Sequence, residues 1–135
     1  MQHLWELGHA LDVRSKRMVK KVGVTGPQRL VIRIIGQKPG QTASQIASTL
    51  GKHPSTLTGV LARLQSRGMI TRESDPEDRR RARFGLTASG KKIDKLQKGT
   101  VEAATRRAMA RVGDDAIASM RTTLDVLVEE LSRDE

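Results

Sequence analysis

A chain of 135 residues has material for one ordinary hydrophobic core and too little for two. The absence of cysteine excludes a disulfide framework, a thiolate metal site and a thiol redox switch. The formal charge of +10 is uneven: residues 1–51 carry eight basic and two acidic groups, residues 52–92 ten and four, and residues 93–135 seven and nine, so a polyanion is expected on the first two thirds.

The first predicted element is a long helix with Leu4, Leu7, Leu11, Met18 and Val22 on one face, a stripe that Arg14 and Ser15 interrupt. Gly23 and Val24 loosen it. Thr25-Gly26-Pro27-Gln28 starts a second helix, with a threonine cap, a glutamine three residues on and proline in the first turn. Leu30, Val31, Ile34 and Ile35 are its expected buried stripe, and Lys38-Pro39-Gly40 ends it. Thr42-Ala43-Ser44-Gln45 repeats the capping pattern ahead of Ile46, Ala47 and Leu50, and Gly51 closes this short helix. His53 and Pro54 open the next, whose apolar face is Leu57, Val60, Leu61 and Leu64, and Gly68 stops it. Two helices joined by a tight turn form a helix-turn-helix.

After Gly68 the period changes from helix to strand. Met69 to Glu73 and Ala82 to Leu86 suit two short strands, and residues 74–81 between them are charged or proline at seven of eight positions. A hairpin with a charged tip is a wing. From Thr87 a helical stripe returns through Ile93, Leu96, Val101, Ala104, Ala108 and Val112, and Gly113-Asp114 breaks and recaps the chain. The last helix carries Ile117, Met120, Leu124, Leu127 and Leu131 at alternating steps of three and four. The fold class is mainly α with a small β-hairpin wing: a winged helix-turn-helix (residues 25–87) flanked by N- and C-terminal dimerisation helices (1–24 and 88–135). Leu4, Leu7, Leu11, Ile117, Met120, Leu124, Leu127 and Leu131 are the expected dimer contacts, because these apolar faces exceed what one small winged helix can cover.

Trp5 and Phe84 are the only aromatic residues besides three histidines, which disfavours modules that stack single strands and leaves duplex DNA as the expected polyanion. Residues 53–68 form the expected recognition helix. Its inward apolar face leaves Ser55, Thr56, Thr58, Gly59 and Arg63 outward: small groups that permit close approach, and an arginine that can reach a guanine edge or a phosphate. The plainer reading of that helix is an amphipathic segment with a solvated face. In the wing, Arg79, Arg80, Arg81 and Arg83 crowd a hairpin that needs no such charge to fold, with Asp75, Glu77 and Asp78 as local acids. A self-neutralised turn is the plainer reading there. Arginines also suit a narrow minor groove.

The capped helix pair, then Gly68-Met69-Ile70-Thr71-Arg72, Asp78-Arg79-Arg80 and Leu86-Thr87-Ala88-Ser89-Gly90, resembles the MarR regulators over nearly the whole chain. The resemblance implies a homodimeric transcription regulator of duplex DNA, commonly a repressor. It implies that Arg80 enters the minor groove braced by Asp78, that Arg72 binds phosphate or pairs with the wing acids, and that Ser55, Thr56 and Thr58 face the major groove. Thr42, Gln45, His53, Gly59, Arg63, Arg79 and Arg81 complete the expected DNA-binding set. It further implies an effector pocket for a small organic, phenolic-type compound, lined by Trp5, His9 and Arg14. The cysteine and the metal-ligand cluster of peroxide- and zinc-sensing members are missing from the sequence, so neither cofactor nor metal is expected.

No nucleophile with a base and no glycine-rich phosphate loop points to an enzyme. No apolar run approaches the ~18 residues a membrane helix needs, and the N-terminus lacks the pattern of a cleaved leader, so a cytoplasmic protein with no membrane partner is expected. The rival reading is a winged-helix assembly module whose basic wing binds an acidic protein.

Overall fold

The computed structural model describes residues 1–51 and 54–133. They form two compact units, Met1–Thr100 and Val101–Glu135. The first contains α1 (Gln2–Val22), α2 (Gly26–Gln37), β1 (Gln41–Thr42), α3 (Ala43–Leu50), α4 (Pro54–Ser66), β2 (Ile70–Ser74), β3 (Ala82–Leu86) and α5 (Ala88–Asp94). The second contains α6 (Val101–Met109) and α7 (Asp114–Leu131).

Local chemistry sets the helix starts in the first unit. In α2 the Thr25 hydroxyl accepts from the Gln28 N–H at 3.3 Å while the Gln28 side chain accepts from the Thr25 N–H at 3.1 Å. Thr42 and Gln45 make the same reciprocal cap on α3, at 3.4 and 2.9 Å. Each box satisfies backbone donors that a helix start leaves orphaned. Gly23, Gly51 and Gly68 take positive φ where α1, α3 and α4 end, a conformation glycine adopts without steric cost. Ser15 does not merely interrupt the α1 stripe: its hydroxyl accepts from the Gly26 N–H at 2.8 Å, tying α1 to the start of α2.

The core gathers Met18 and Val24, the inner faces of α2 to α4, and Phe84 from the sheet. Fully burying an Ile or Leu contributes roughly 1.5–3 kcal/mol relative to leaving it wet. Ile32 is completely buried, whereas Leu30, expected in the stripe, is 44% exposed. In the continuous apolar run Leu30 to Ile35, broken only by Arg33, periodicity does not distinguish the two positions.

The sheet has the order β1-β3-β2, all antiparallel. β1 adds a third strand to the expected hairpin by pairing Gln41 with Phe84 and Thr42 with Arg83. Across β2 and β3, Ile70 faces Leu86 and Ser74 faces Ala82. The junction into α5 explains the Leu-Thr-x-x-Gly segment. The Thr87 hydroxyl donates to the Gly68 carbonyl at 2.6 Å and accepts from the Gly90 N–H at 3.1 Å. A Cβ on Gly90 would run into the Met69 carbonyl oxygen, so only glycine lets α5 come this close.

The single helix expected from Thr87 to Val112 is broken. α5 stops at Asp94, Gly99 has φ +78, and α6 begins at Val101. The cause is distant in sequence. Arg29, only 2% exposed, donates from α2 to the carbonyls of Ile93, Asp94 and Leu96, and Arg33 pairs with the Asp94 carboxylate at 2.8 Å. Two guanidiniums thereby occupy the carbonyl end of α5, where cations are favoured. The segment 88–94, grouped with the terminal helices by its sequence pattern, packs on α2 and β3.

In the second unit, Gly113 precedes α7 as its N-cap, with Asp114 and Asp115 in the first turn, where negative charge is favoured. α7 has no buried residue. Ile117, Leu124 and Leu127 are half-buried, and Met120 and Leu131 are 42% and 75% exposed. Ala108 and Val112, from the expected stripe after Thr87, are exposed as well.

Candidate nucleic-acid interface

A groove of about 880 Å³ runs through the first unit between the helix pair and the wing. One wall is the start of α3 and the face of α4 that presents Thr58, Ala62 and Gln65; the other is the sheet and wing, with Arg72, Arg80 and Arg83. Leu57, Leu61 and Leu64 are buried along the neighbouring stripe of α4, and Leu61 also lines the groove. Ser55, Thr56, Thr58, Gly59 and Arg63 are all exposed. A Cβ on Gly59 would meet no atom of the chain within 4 Å, so internal packing does not require this glycine. Arg63 stands in the last turn of α4 and does not line the groove. His53 lies outside the described residues. Thr42 and Gln45 line the groove, with their side chains engaged in the α3 capping box.

The wing is closed by backbone bonds from the Asp75 N–H to the Arg81 carbonyl, 3.0 Å, and from the Arg81 N–H to the Asp78 carbonyl, 2.9 Å. Asp78 Oδ1 accepts from the Arg80 backbone N–H at 3.0 Å and lies 3.3 Å from Arg80 Nε. Its Oδ2 is 3.5 Å from Arg81 Nε. One carboxylate therefore touches two arginines, where the sequence suggests one. The Arg80 side chain remains 92% exposed, and exposed pairs of this kind contribute about 0–1 kcal/mol. Arg79 is exposed at the tip. Arg72 stands opposite Phe84 in the sheet and forms no ion pair among the described residues.

Asp75, Arg83, Ala62 and Gln65 also line this groove; Ala62 and Gln65 are absent from the residues the sequence singles out, and Arg83 and Asp75 appear there only as a wing arginine and a local acid, outside the expected DNA-binding set. Ala62 and Gln65 follow Thr58 at helical spacing, a signal that could have found them. Asp75 is buried and pairs with Arg83 at 3.0 Å. The N–H of Glu77 and the Arg83 guanidinium hold its carboxyl below the usual value of 3.8; both stabilise the charged form.

The other expected sites lie apart from the groove. Trp5 is 75% exposed and His9 is also exposed. Arg14 is half-buried, and its Nε is screened from solvent without a hydrogen-bond partner among the described residues. Leu7 and Leu11 are 49% and 45% exposed, and Leu4 is half-buried. Among the described residues no cluster of His, Asp and Glu could hold a metal ion, and no helix is long and apolar enough to cross a membrane.

Comparison with known proteins places this geometry. The family model described as MarR family matches residues 24–82. The Escherichia coli O111:H- transcriptional regulator HosA is 41% identical over 70 residues, which is 52% of each chain, so the match spans about half the length of that relative. An HTH-type transcriptional repressor of Mycobacterium tuberculosis is 27% identical over 109 residues, covering 81% of this chain and 78% of the relative. Among solved structures, the S. aureus MepR–DNA complex superposes with a TM-score of 0.78 at 20% identity, over 97% of this chain and 96% of MepR. PcaV from Streptomyces coelicolor, solved with its natural ligand, gives 0.77 at 23% identity over 93% and 89%. These likenesses extend the fold over almost the whole chain, beyond the segment that matches in sequence. The segment similar to the MarR family, residues 24–82, holds the helix pair and the Asp78-Arg79-Arg80 wing.

Proposed function

We propose that the chain is a sequence-specific, duplex-DNA-binding transcription regulator that acts as a homodimer on an inverted-repeat operator, as a repressor relieved by a small organic effector. One observation carries the reading. The arginine-lined wall of the sheet and wing faces the hydroxyl and small side chains of α4 across a single groove, which pairs a phosphate-binding surface with a helix able to approach base edges. The DNA complex of MepR and the repressor role of the mycobacterial relative support it. In this reading Ser55, Thr56, Thr58 and Gly59 face the major groove, Arg80 enters the minor groove from Asp78, and Arg63, Arg72, Arg79 and Arg81 meet phosphates.

The exposed apolar faces of α1 and α7 supply the homodimer, and a two-fold axis requires a two-fold site. Burying those faces contributes about 25 cal/mol per Å² of apolar area. An effector carrying a carboxylate or phenolate would satisfy the screened Nε of Arg14, which shares α1 with Trp5 and His9; the ligand complex of PcaV supports this part. A cytoplasmic location accompanies the function.

Selection of bound duplexes from random and genomic fragments tests the reading. The expected result is an inverted repeat with half-sites about 10 base pairs apart, released by compounds of the stated chemistry. Binding that is indifferent to salt and leaves no sequence-selective footprint would instead identify a protein-assembly module.

A further inference from the structure

Asp75 does not behave like the rest of the wing. It sits in the hairpin connection beside the exposed Pro76, Glu77 and Arg79, yet it is 6% exposed. Its Oδ1 accepts from the Glu77 N–H at 3.0 Å and lies 3.0 Å from Arg83 Nη2. Its own N–H donates to the Arg81 carbonyl at 3.0 Å. One backbone N–H thus holds the carboxylate, a second bond holds the main chain that carries it, and the same oxygen meets one guanidinium.

Arg83 occupies the middle strand of the sheet. Thr42, the N-cap of α3, is its register partner on one side and Glu73 on the other. The ion pair recorded for Arg83 is with Asp75 and not with the directly opposed Glu73. The side chain is 41% exposed and lines the groove. A guanidinium has five donors. The Asp75 contact engages Nη2 and leaves others for a ligand in the groove. Such a pair adds little net stability, but it fixes an arginine whose free side chain would otherwise have to be ordered at an entropic cost when it binds.

We propose that Arg83 is a phosphate-binding residue of the groove and that Asp75 is its positioning residue. This rests on the duplex-binding reading above. The ligand is the phosphodiester backbone where it passes between the segment read by α4 and the segment reached by the wing tip. Arg80 and Arg83 then differ in setting: Arg80 is 92% exposed and is braced at the wing tip by Asp78, whereas Arg83 is half-buried and is held by a carboxylate that is itself buried.

The test titrates wild type, Arg83→Met, Asp75→Asn and the double variant against a 30-base-pair duplex selected by the wild type and against a random duplex, at several salt concentrations. Arg83→Met is expected to weaken the selected duplex about tenfold and to lower the salt slope by about one per protomer. Asp75→Asn removes a negative charge, so electrostatics alone gives tighter binding; positioning gives weaker binding to the selected duplex. The double variant is expected to bind no worse than Arg83→Met, because Asp75 acts through Arg83. Thermal unfolding of each variant identifies general damage to the fold. An Arg83→Met protein that binds as wild type does, an Asp75→Asn protein that binds the selected duplex more tightly, or additive losses in the double variant would each overturn the inference while leaving the DNA-binding reading standing. Failure of the wild type to bind any duplex would remove that reading first.

Discussion

α2 and α7 are both helices with apolar residues at helical spacing, and they meet opposite fates. α2 buries six of its twelve residues, whereas α7 buries none of its eighteen. α2 is enclosed by α1, α3, α4, α5 and β3, so its stripe is spent inside its own unit. The stripe of α7 is exposed to half-buried, as is that of α1 ahead of Met18. The pattern in the sequence shows that a face will be buried, and only the fold shows whether the chain itself does the burying.

The largest expected effect breaks this contrast from the α7 side. Leu124→Arg or Leu127→Arg places a charge in the proposed dimer face and should convert a dimer into a monomer in sedimentation at micromolar concentration, with little change in the helix content of the first unit. A soluble wild-type monomer at that concentration would show that the face needs no partner.

Gly90 sharpens the contrast from the closed side. Gly90→Ala forces a Cβ into the Met69 carbonyl and should destabilise the first unit by about 1–3 kcal/mol, the usual cost of overpacking. Gly59→Ala meets open space and should stabilise α4 by about 0.5–1 kcal/mol, since alanine is the better helix former. Its reading face should lose close approach to DNA. Chemical denaturation of both variants beside duplex titrations measures the two effects separately.

A smaller effect follows acid. Asp75 has its carboxyl held below 3.8 by the Glu77 N–H and by Arg83. A carboxylate whose pKa is depressed by folding contributes stability that is fully present above its unfolded value and is lost as pH falls through the folded one. The stability difference between wild type and Asp75→Asn should therefore stay constant from neutral pH down to the ordinary aspartate range and close only below it. A difference that closes well above that range would mean that the contacts of Asp75 do not hold in solution.

Much of the first unit was legible because its signals are local. Both capping boxes, the positive-φ glycines and the two strands of the wing are written within a few residues of where they act. What escaped depends on distant partners. Arg29 caps the end of α5 from 64 and more residues away, and the local signal of the break is Gly99 alone, five residues beyond Asp94. β1 is two residues long, too short for an alternation. Asp75 reads as one acid among three in a charged loop, and its burial beside Arg83 appears only when the hairpin closes. In α4 the apolar face was legible, and with it the exposed face of Ser55, Thr56 and Thr58; the groove-lining Ala62 and Gln65 continue from Thr58 at the same helical spacing, and that spacing was the signal for them.

The central proposal is that this wing reads DNA and does not merely adhere to it, and Arg80 tests it most directly. Asp78 touches both Arg80 and Arg81, which leaves Arg79 as the control of equal charge outside that brace. Arg80→Ala, Asp78→Ala and Arg79→Ala should be titrated against the selected and random duplexes at two salt concentrations. The expected result is a loss of about 1–3 kcal/mol on the selected duplex for Arg80→Ala. Asp78→Ala should also weaken that duplex despite removing a negative charge, and Arg79→Ala should change both duplexes alike. Tighter binding of the selected duplex by Asp78→Ala, together with Arg80→Ala behaving like Arg79→Ala, would contradict the proposal and reduce the wing to a diffuse positive patch.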